Sequence, residues 1–336
     1  MFSIRINPKN KQPKFQQIAH SFIRNIEKGV LEKDFLLPSI NEFSEKYSVA
    51  RDTVERAYRL LKDQGYITSV AGRGYFVAGK KDQKLKVLLL FNKLSSYKKI
   101  VYDSFLESLG DKATVELQIH HYNPQLFRDI IESHLGRYHY YVIMPHFFHQ
   151  AEINQYLPVL KKIPANELVL LDRHVPGLEA GHMAVYQDFR HDIDGALESA
   201  LDLFEKYDRL VLLFPQHSNH PVEIIEGIGD FCSRHQKAFT VTDGAAKVAL
   251  EARTAYIAIK EADLAVLVKA IRKSSLALGK EVGIISFNET VLKELLDITV
   301  VTTDFAGMGC SAAQLILNRQ FEEKKNPFYM IRRHSL

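Results

Sequence analysis

Arg51 stands where a cation needs an external partner. In residues 48–61, SVARDTVERAYRLL, the side chains of Val54, Ala57, Tyr58 and Leu61 recur at helical spacing and make one apolar face. Arg51 falls in or just before the first turn. The partial positive end of the helix macrodipole disfavours a cation there by about a few tenths of a kcal/mol. Asp52 and Glu55 suit that end, and an arginine does not. An outside polyanion reverses the balance, and a guanidinium so placed can bond bidentately to guanine O6 and N7. Thr53 offers a hydroxyl to a phosphate, and Ser39, at the start of the preceding helix, does likewise. In AGRGYFV, Gly72 and Gly74 permit a tight turn that places Arg73 at its tip, suited to a minor groove. Lys9, Lys11 and Lys14 are further candidates for phosphate contact.

A second set of residues follows apolar strand-like runs. Asn92 follows LLLF, His146 follows YVIMP, Tyr186 and Asp188 lie in AVYQD, and His217 and His220 lie in LLFPQHSNH. Glu261 follows IAIK, Asn288 lies in SFNET, and Thr303 and Asp304 end VVTTDF. Polar side chains at the carboxyl ends of parallel strands are where α/β folds bind small molecules. HSNH and HFFH each pair two histidines, but no third and fourth ligands accompany them, so no metal is expected. Tyr140, Tyr141, Phe147 and Phe148 suit ring stacking or core packing.

Bulk composition limits the possibilities. With 336 residues and 46% hydrophobic content, the chain can bury a sizeable core and is expected to form at least two domains. Cys232 and Cys310 make no disulfide framework, which fits a reducing compartment. The start, MFSIRINPKNKQPKF, lacks the apolar core of a secretory signal, and no apolar run approaches the roughly 18 residues of a membrane span. A cytoplasmic protein is expected. Residues 1–84 hold 16 Lys and Arg against 9 Asp and Glu, while the rest holds 28 against 31. A basic end on a slightly acidic body points to a polyanion partner for the first segment.

The elements that must position these groups are readable. KFQQIAHSFIRNIEKG carries Phe15, Ile18, Ala19, Phe22, Ile23 and Ile26 on one face, with Gly29 as the stop. PSINEFSEKYSV predicts a second helix with Pro38 in its first turn. The helix from Arg51 ends near Gly65, and YITS and YFVA flank VAGRG as a hairpin. This order predicts an α+β winged helix-turn-helix over 1–78. GKKDQK, residues 79–84, reads as a linker. Over 85–336, apolar runs such as LKVLLLF, YYVIM, ELVLL, RLVLLF and EVGIISF alternate with helix-period segments. That alternation predicts parallel sheets covered on both faces, in one doubly wound domain or two lobes.

LLPSINEFSEKYSVARDTVERAYRLLKDQGYITSVAGRGYFVA closely resembles the DNA-binding domain of GntR-type bacterial transcription regulators. Leu37, Pro38, Ser39, Arg51, Thr53, Val54, Gly65, Gly72, Arg73, Gly74, Phe76 and Val77 carry the match. The resemblance implies DNA contacts from Lys14, Ser39, Asn41, Arg51, Thr53, Gly72, Arg73 and Gly74. Asn41 and Ala50 stand where the family usually has arginine and serine. The first alters one customary DNA contact; the second removes the usual cap of the third helix and leaves Ser48 or Asp52 to serve.

EVGIISFNETVLKELLDITVVTTDFAGMGCSAAQLIL resembles the end of LacI-type effector domains, which share the two-lobed type I periplasmic sugar-binding fold. This resemblance implies an effector site built from Asn92, His146, Tyr186, Asp188, His217, His220, Glu261, Asn288, Thr303 and Asp304. Asn288 takes the place of a sugar-binding aspartate of that family, and Glu223 or His220 replaces a missing arginine. With acceptors, amides and few evident cations, the site implies a neutral polyhydroxylated ligand such as a monosaccharide, with no cofactor. The expectation is a non-enzymatic, ligand-controlled regulator, a repressor that reads a palindromic double-stranded operator as a homodimer, with a dimer contact through first-lobe helices such as YDSFLESL. Two alternatives stay open: a pyridoxal-phosphate-type enzyme-regulator, and a DNA-binding protein whose larger domain only oligomerises.

Overall fold

The computed structural model describes residues 4, 6, 12–78, 84–148, 151–215, 219–245 and 248–336. Lys9, Lys11, His217 and linker residues 79–83 lie outside the described residues. Two compact units emerge: Met1–Leu89 with Gly110–Gln118 and Asp129–Tyr141, and Leu90–Leu109 with Ile119–Arg128 and Val142–Leu336.

Three helices open the chain: α1 (Lys14–Glu27), α2 (Ile40–Tyr47) and α3 (Arg51–Asp63). Strands β1 (Ile67–Val70) and β2 (Gly74–Val77) follow as an antiparallel pair in register Ile67 to Val77. A bridge from Leu36 to Phe76 adds the segment before α2 to this wing. The expected apolar faces pack as one core: Phe22, Phe43 and Tyr58 meet with ring centroids 5.6–6.3 Å apart, and the Tyr58 hydroxyl donates to the Pro38 carbonyl at 2.8 Å. Burying such a ring stabilises the fold by about 1.5–3 kcal/mol.

Two local expectations need correction. Pro38 lies before the cap of α2, not in its first turn: Ser39 is the N-cap, in a reciprocal capping box with Glu42. Neither Ser48 nor Asp52 caps α3. Ser48 is spent as the left-handed terminus of α2 (φ 50°), and Ala50 occupies the N-cap with no side-chain bond.

Beyond the wing come β3 (Leu85–Phe91), α4 (Ser96–Leu109), β4 (Ala113–Ile119), α5 (Pro124–His134), β5 (Tyr140–Ile143), α6 (Leu157–Leu160), β6 (Leu168–Asp172) and β7 (Met183–Tyr186). Then follow α7 (Phe189–Glu198), α8 (Leu201–Phe204), β8 (Arg209–Leu213), α9 (Glu223–Arg234), β9 (Ala238–Thr242), β10 (Thr254–Ala258), α10 (Glu261–Lys273), β11 (Val282–Phe287) and α11 (Val291–Leu295). The last elements are β12 (Thr299–Thr303), α12 (Phe305–Asn318), β13 (Glu323–Lys325) and β14 (Phe328–Ile331). They form two six-stranded sheets, ordered β13-β7-β6-β5-β3-β4 and β14-β12-β11-β10-β8-β9. In the second sheet every neighbour is parallel except β14, which runs antiparallel to β12. Strands β10, β11 and β12 are buried along their whole length, β10 and β11 through largely apolar side chains and β12 with three threonines inside. Helices α4 and α12 pack so closely that a methyl group on Gly309 would lie 2.2 Å from Ser104 Oγ and 2.3 Å from the Val101 carbonyl.

His120, fully buried beside Phe127 and Phe147, supplies a pH-sensitive element. Its Nε2 bonds the Met144 carbonyl at 3.2 Å, and Nδ1 has no partner among the described residues, which suits a neutral ring. Burial pushes its pKa from 6.5 down to about 4. Between those values the unfolded chain takes up a proton that the native chain refuses, so the ring's stabilising share is complete above pH 6.5 and shrinks on acidification. The expected loss by pH 5 is about 2 kcal/mol. Urea unfolding at pH 7 and pH 5 checks this: His120→Leu should lose less stability than the parent on acidification, and equal losses would contradict it.

Candidate nucleic-acid interface and effector cleft

Helix α3 begins at Arg51 with its first amide groups uncapped by any side chain. Such a terminus presents orphan N–H donors and a partial positive charge, which favours an anion. Arg51 is exposed and has no ion-pair or hydrogen-bond partner among the described residues. Its neighbours on α3 are committed: Arg56 stacks over the Phe15 ring at 4.5 Å, and Arg59 pairs with Glu55 at 3.2 Å. Arg73 is likewise exposed, at the tip between β1 and β2, its backbone N–H closing the turn onto the Val70 carbonyl at 3.0 Å. Gly72 and Gly74 flank it with φ of +74° and +106°, conformations that a side chain would strain. Lys14 opens α1 and is exposed; Asn41 is exposed in the first turn of α2, and Thr53 is half-buried in α3. Ser39 accepts the Glu42 amide at 3.2 Å, so its hydroxyl first serves the helix.

The strand-end residues fall into three groups. In the first, Asn92 is buried at the end of β3 and receives a hydrogen bond from the Lys98 ammonium. His146 Nε2 bonds Asp172 Oδ2 at 2.7 Å. Burial holds the imidazole of His146 below its ordinary value. Burial works against ionisation of Asp172, but His146 and Lys98 outweigh it and keep the carboxyl in its ionised range. Burial also pushes Lys98 down to about 8. His146 and His220 line a cavity of about 320 Å³ with Arg173, His174, Tyr156 and Glu223. Of the ten residues that the resemblance implied for the site, these two line it among those described, together with Glu223, Phe147 and Phe148, which the sequence also offered.

The second group lies at the ends of β10 and β11. The hydroxyl of Tyr97 donates to Glu261 at 3.3 Å, and the buried Lys293 ammonium lies 3.6 Å from the same carboxylate. Lys293 donates to the carbonyls of Phe287 and Asn288 at 2.7 and 2.8 Å. Asn288 sits in the left-handed region at φ 64°, which turns the chain as it leaves β11. The third group is structural in its first contacts. Asp188 caps α7 and Asp304 caps α12, Gln187 donates to Thr303 Oγ1, and Tyr186 packs on His174 at 3.9 Å between ring centroids.

The expectation of few cations is corrected: Lys98, Arg173 and Lys293 all stand here. Each has an internal partner: Lys98 bonds Asn92 and lies in the field of the Asp172 carboxylate, Arg173 pairs with Glu223 at 2.8 Å, and Lys293 meets carbonyls and Glu261. Sequence reasoning missed Asp172 and Arg173, although the same strand-end rule applied to the ELVLL run would have found them. Lys98 and Lys293 gave no local signal, because their partners converge only through the fold.

Residues 14–77 match the family described as bacterial regulatory proteins, gntR family. The uncharacterized HTH-type transcriptional regulator YurK of Bacillus subtilis is 34% identical over 108 residues, 32% of this chain and 40% of that relative. The match therefore spans well under half of the relative's length. Among solved structures, the trehalose repressor from Escherichia coli aligns with a TM-score of 0.60 at 18% identity, over 74% of this chain and all of the other. A periplasmic binding protein/LacI transcriptional regulator from Alkaliphilus metalliredigens, complexed with D-xylulofuranose, aligns with a TM-score of 0.55 at 14% identity, over 75% of this chain and 99% of the other. Likeness at such identity is one of fold, and it gives the two-sheet α/β portion the LacI and periplasmic-binding-protein architecture. Among the described residues, no helix is long and apolar enough to cross a membrane.

Proposed function

We propose that this chain, whose residues 14–77 are a GntR-type DNA-binding domain, is a ligand-responsive transcription repressor. In this reading residues 1–78 read DNA, 79–84 connect, and 85–336 bind effector and dimerise. One observation carries the reading: an uncommitted Arg51 at the uncapped start of α3, on the same chain as a fold that holds small molecules at strand ends. Helix α3 enters the major groove, Arg51 bonds a guanine edge, and Arg73 on the wing reaches the minor groove. Lys14, Ser39, Asn41, Thr53 and the Gly72 and Gly74 backbone contact phosphates.

The effector is a neutral sugar. Internal matching of Lys98, Arg173 and Lys293 leaves little uncompensated positive charge for a phosphate or carboxylate, while Asn92, His146, Asp172 and Asn288 supply the mixed donors and acceptors that hydroxyl groups need. The trehalose repressor and the D-xylulofuranose complex support a sugar by analogy of fold. Binding at the cleft shifts the balance between two states of the dimer only by its differential affinity for them. Operator and sugar must then change each other's affinity by one common factor.

Dimerisation is assigned to α11. Helix α4, the sequence candidate, already buries Val101, Phe105 and Leu109 in its own subunit. By contrast Val291, Leu292 and Leu295 of α11 are 70%, 69% and 75% exposed, an apolar patch that a second copy would cover.

A thermal-shift panel of neutral monosaccharides and disaccharides, followed by operator-release assays, tests the proposal. A sugar at 100 times its dissociation constant raises stability by about 2.7 kcal/mol. Asn288→Ala should keep operator binding and lose release by that sugar; release at the parental sugar concentration would remove Asn288 from the site. A panel without any shift would favour the purely oligomerising alternative.

A further inference from the structure

A second cavity, of about 460 Å³, lies wholly within the first unit, away from the DNA-reading end of α3. Its walls come from α1 (His20, Arg24, Glu27), the end of α3 and start of β1 (Gln64, Tyr66), Lys86, β4 and the turn before β5. Two carboxylates face it, and both are occupied by neutral donors. Glu27 accepts the Tyr66 hydroxyl at 2.5 Å and the Nε2–H of buried His139, whose Nδ1 accepts the Lys86 amide at 2.8 Å. Glu116 accepts from Tyr138 and from Gln118 at 2.9 Å, and His134 Nε2 lies 3.5 Å away.

Two cations, Lys86 and Arg137, are in the opposite condition. Neither the Lys86 ammonium nor the Arg137 guanidinium has a hydrogen-bond or ion-pair partner among the described residues, although Arg137 acts electrostatically on Glu116. Arg24 reaches the same turn: a methyl group added at Gly136 would lie 3.7 Å from its Nη2. His20 Nδ1 bonds the Gln12 amide nitrogen at 2.9 Å, which fixes the proton on Nε2 and leaves that donor open among the described residues. Burial, followed by the fields of Lys86, Arg24 and Arg137, holds His20 below its ordinary pKa, so the ring is neutral and three positive groups converge on it.

We propose that this cavity binds a small phosphate-class anion, with Lys86 and Arg137 as the charged contacts and His20 Nε2–H as a neutral donor. The volume falls within the range of small-molecule sites. Both oxygens of each carboxylate already accept a hydrogen bond, which positions His139, Tyr66 and Tyr138 as walls. A ligand here would bridge α1 to β4 and the turn before β5. This site is independent of the sugar cleft and takes the opposite class of ligand.

Isothermal titration of the full chain at constant ionic strength tests it, with inorganic phosphate, glycerol 3-phosphate and glycerol as separate probes. One or both phosphate probes should bind saturably and glycerol should not; tighter binding of the ester than of phosphate identifies an organophosphate as the source, and the reverse a free ion. Lys86→Gln and Arg137→Gln should each weaken binding about tenfold, as expected for loss of one charge-assisted contact. Arg51→Ala and Asn288→Ala should leave it unchanged. Absence of saturable binding, undiminished binding in Lys86→Gln/Arg137→Gln, or loss of binding in Arg51→Ala would overturn the proposal.

Discussion

Leu292→Glu combined with Leu295→Glu is expected to turn the protein into a monomer and weaken binding to a palindromic operator by about 10²- to 10⁴-fold. That range is what joining two half-site readers contributes through effective concentration. Both side chains are largely exposed within one subunit, so their replacement removes little intramolecular packing. The fold and its thermal stability at low protein concentration should persist. Sedimentation velocity gives the mass, and binding to a single half-site gives the control: half-site affinity should match the parent. A dimer that survives both glutamates would move the interface elsewhere, with the outer face of α4, around exposed Ile100, as the next place to look.

Arg51→Ala is expected to lower discrimination between the cognate operator and single-base variants by about 1–3 kcal/mol per half-site. The loss should concentrate at one base pair per half-site and leave the remaining positions with their preferences. Lys14→Ala provides the contrast. A phosphate contact carries no base information, so that variant should weaken all sequences alike and reduce the slope of log K against log salt by about one. Uniform weakening by Arg51→Ala would place its guanidinium on the backbone instead.

Much of this fold was legible because local chemistry and global packing agree. Phe22, Phe43 and Tyr58 fall on the apolar faces of their helices, and the buried strands β10 and β11 stand out as largely apolar runs. Helix boundaries were less legible. Ser48 looks like a cap for α3 but is consumed as the left-handed end of α2, and Ala50 then begins α3 bare. The helix proposed to read DNA thus forgoes the side-chain cap that an isolated helix would want. The strand-end rule singled out His146 and Asn92, but their partners Asp172 and Lys98 came from other elements. Arg173 and Glu223 pair across 50 residues of sequence, a relation no periodicity encodes. The network of Glu27, Tyr66 and His139 was invisible for the same reason.

The most direct test of the account is a double-mutant cycle between Arg51 and the guanine it reads, on an operator defined by selection from random duplexes. Replacing that guanine by 7-deazaguanine deletes the N7 acceptor while keeping Watson–Crick pairing. The parent protein should lose about 1–3 kcal/mol on the modified duplex, and Arg51→Ala should lose nothing further. Equal losses for both proteins at every guanine of the half-site would contradict base reading by Arg51.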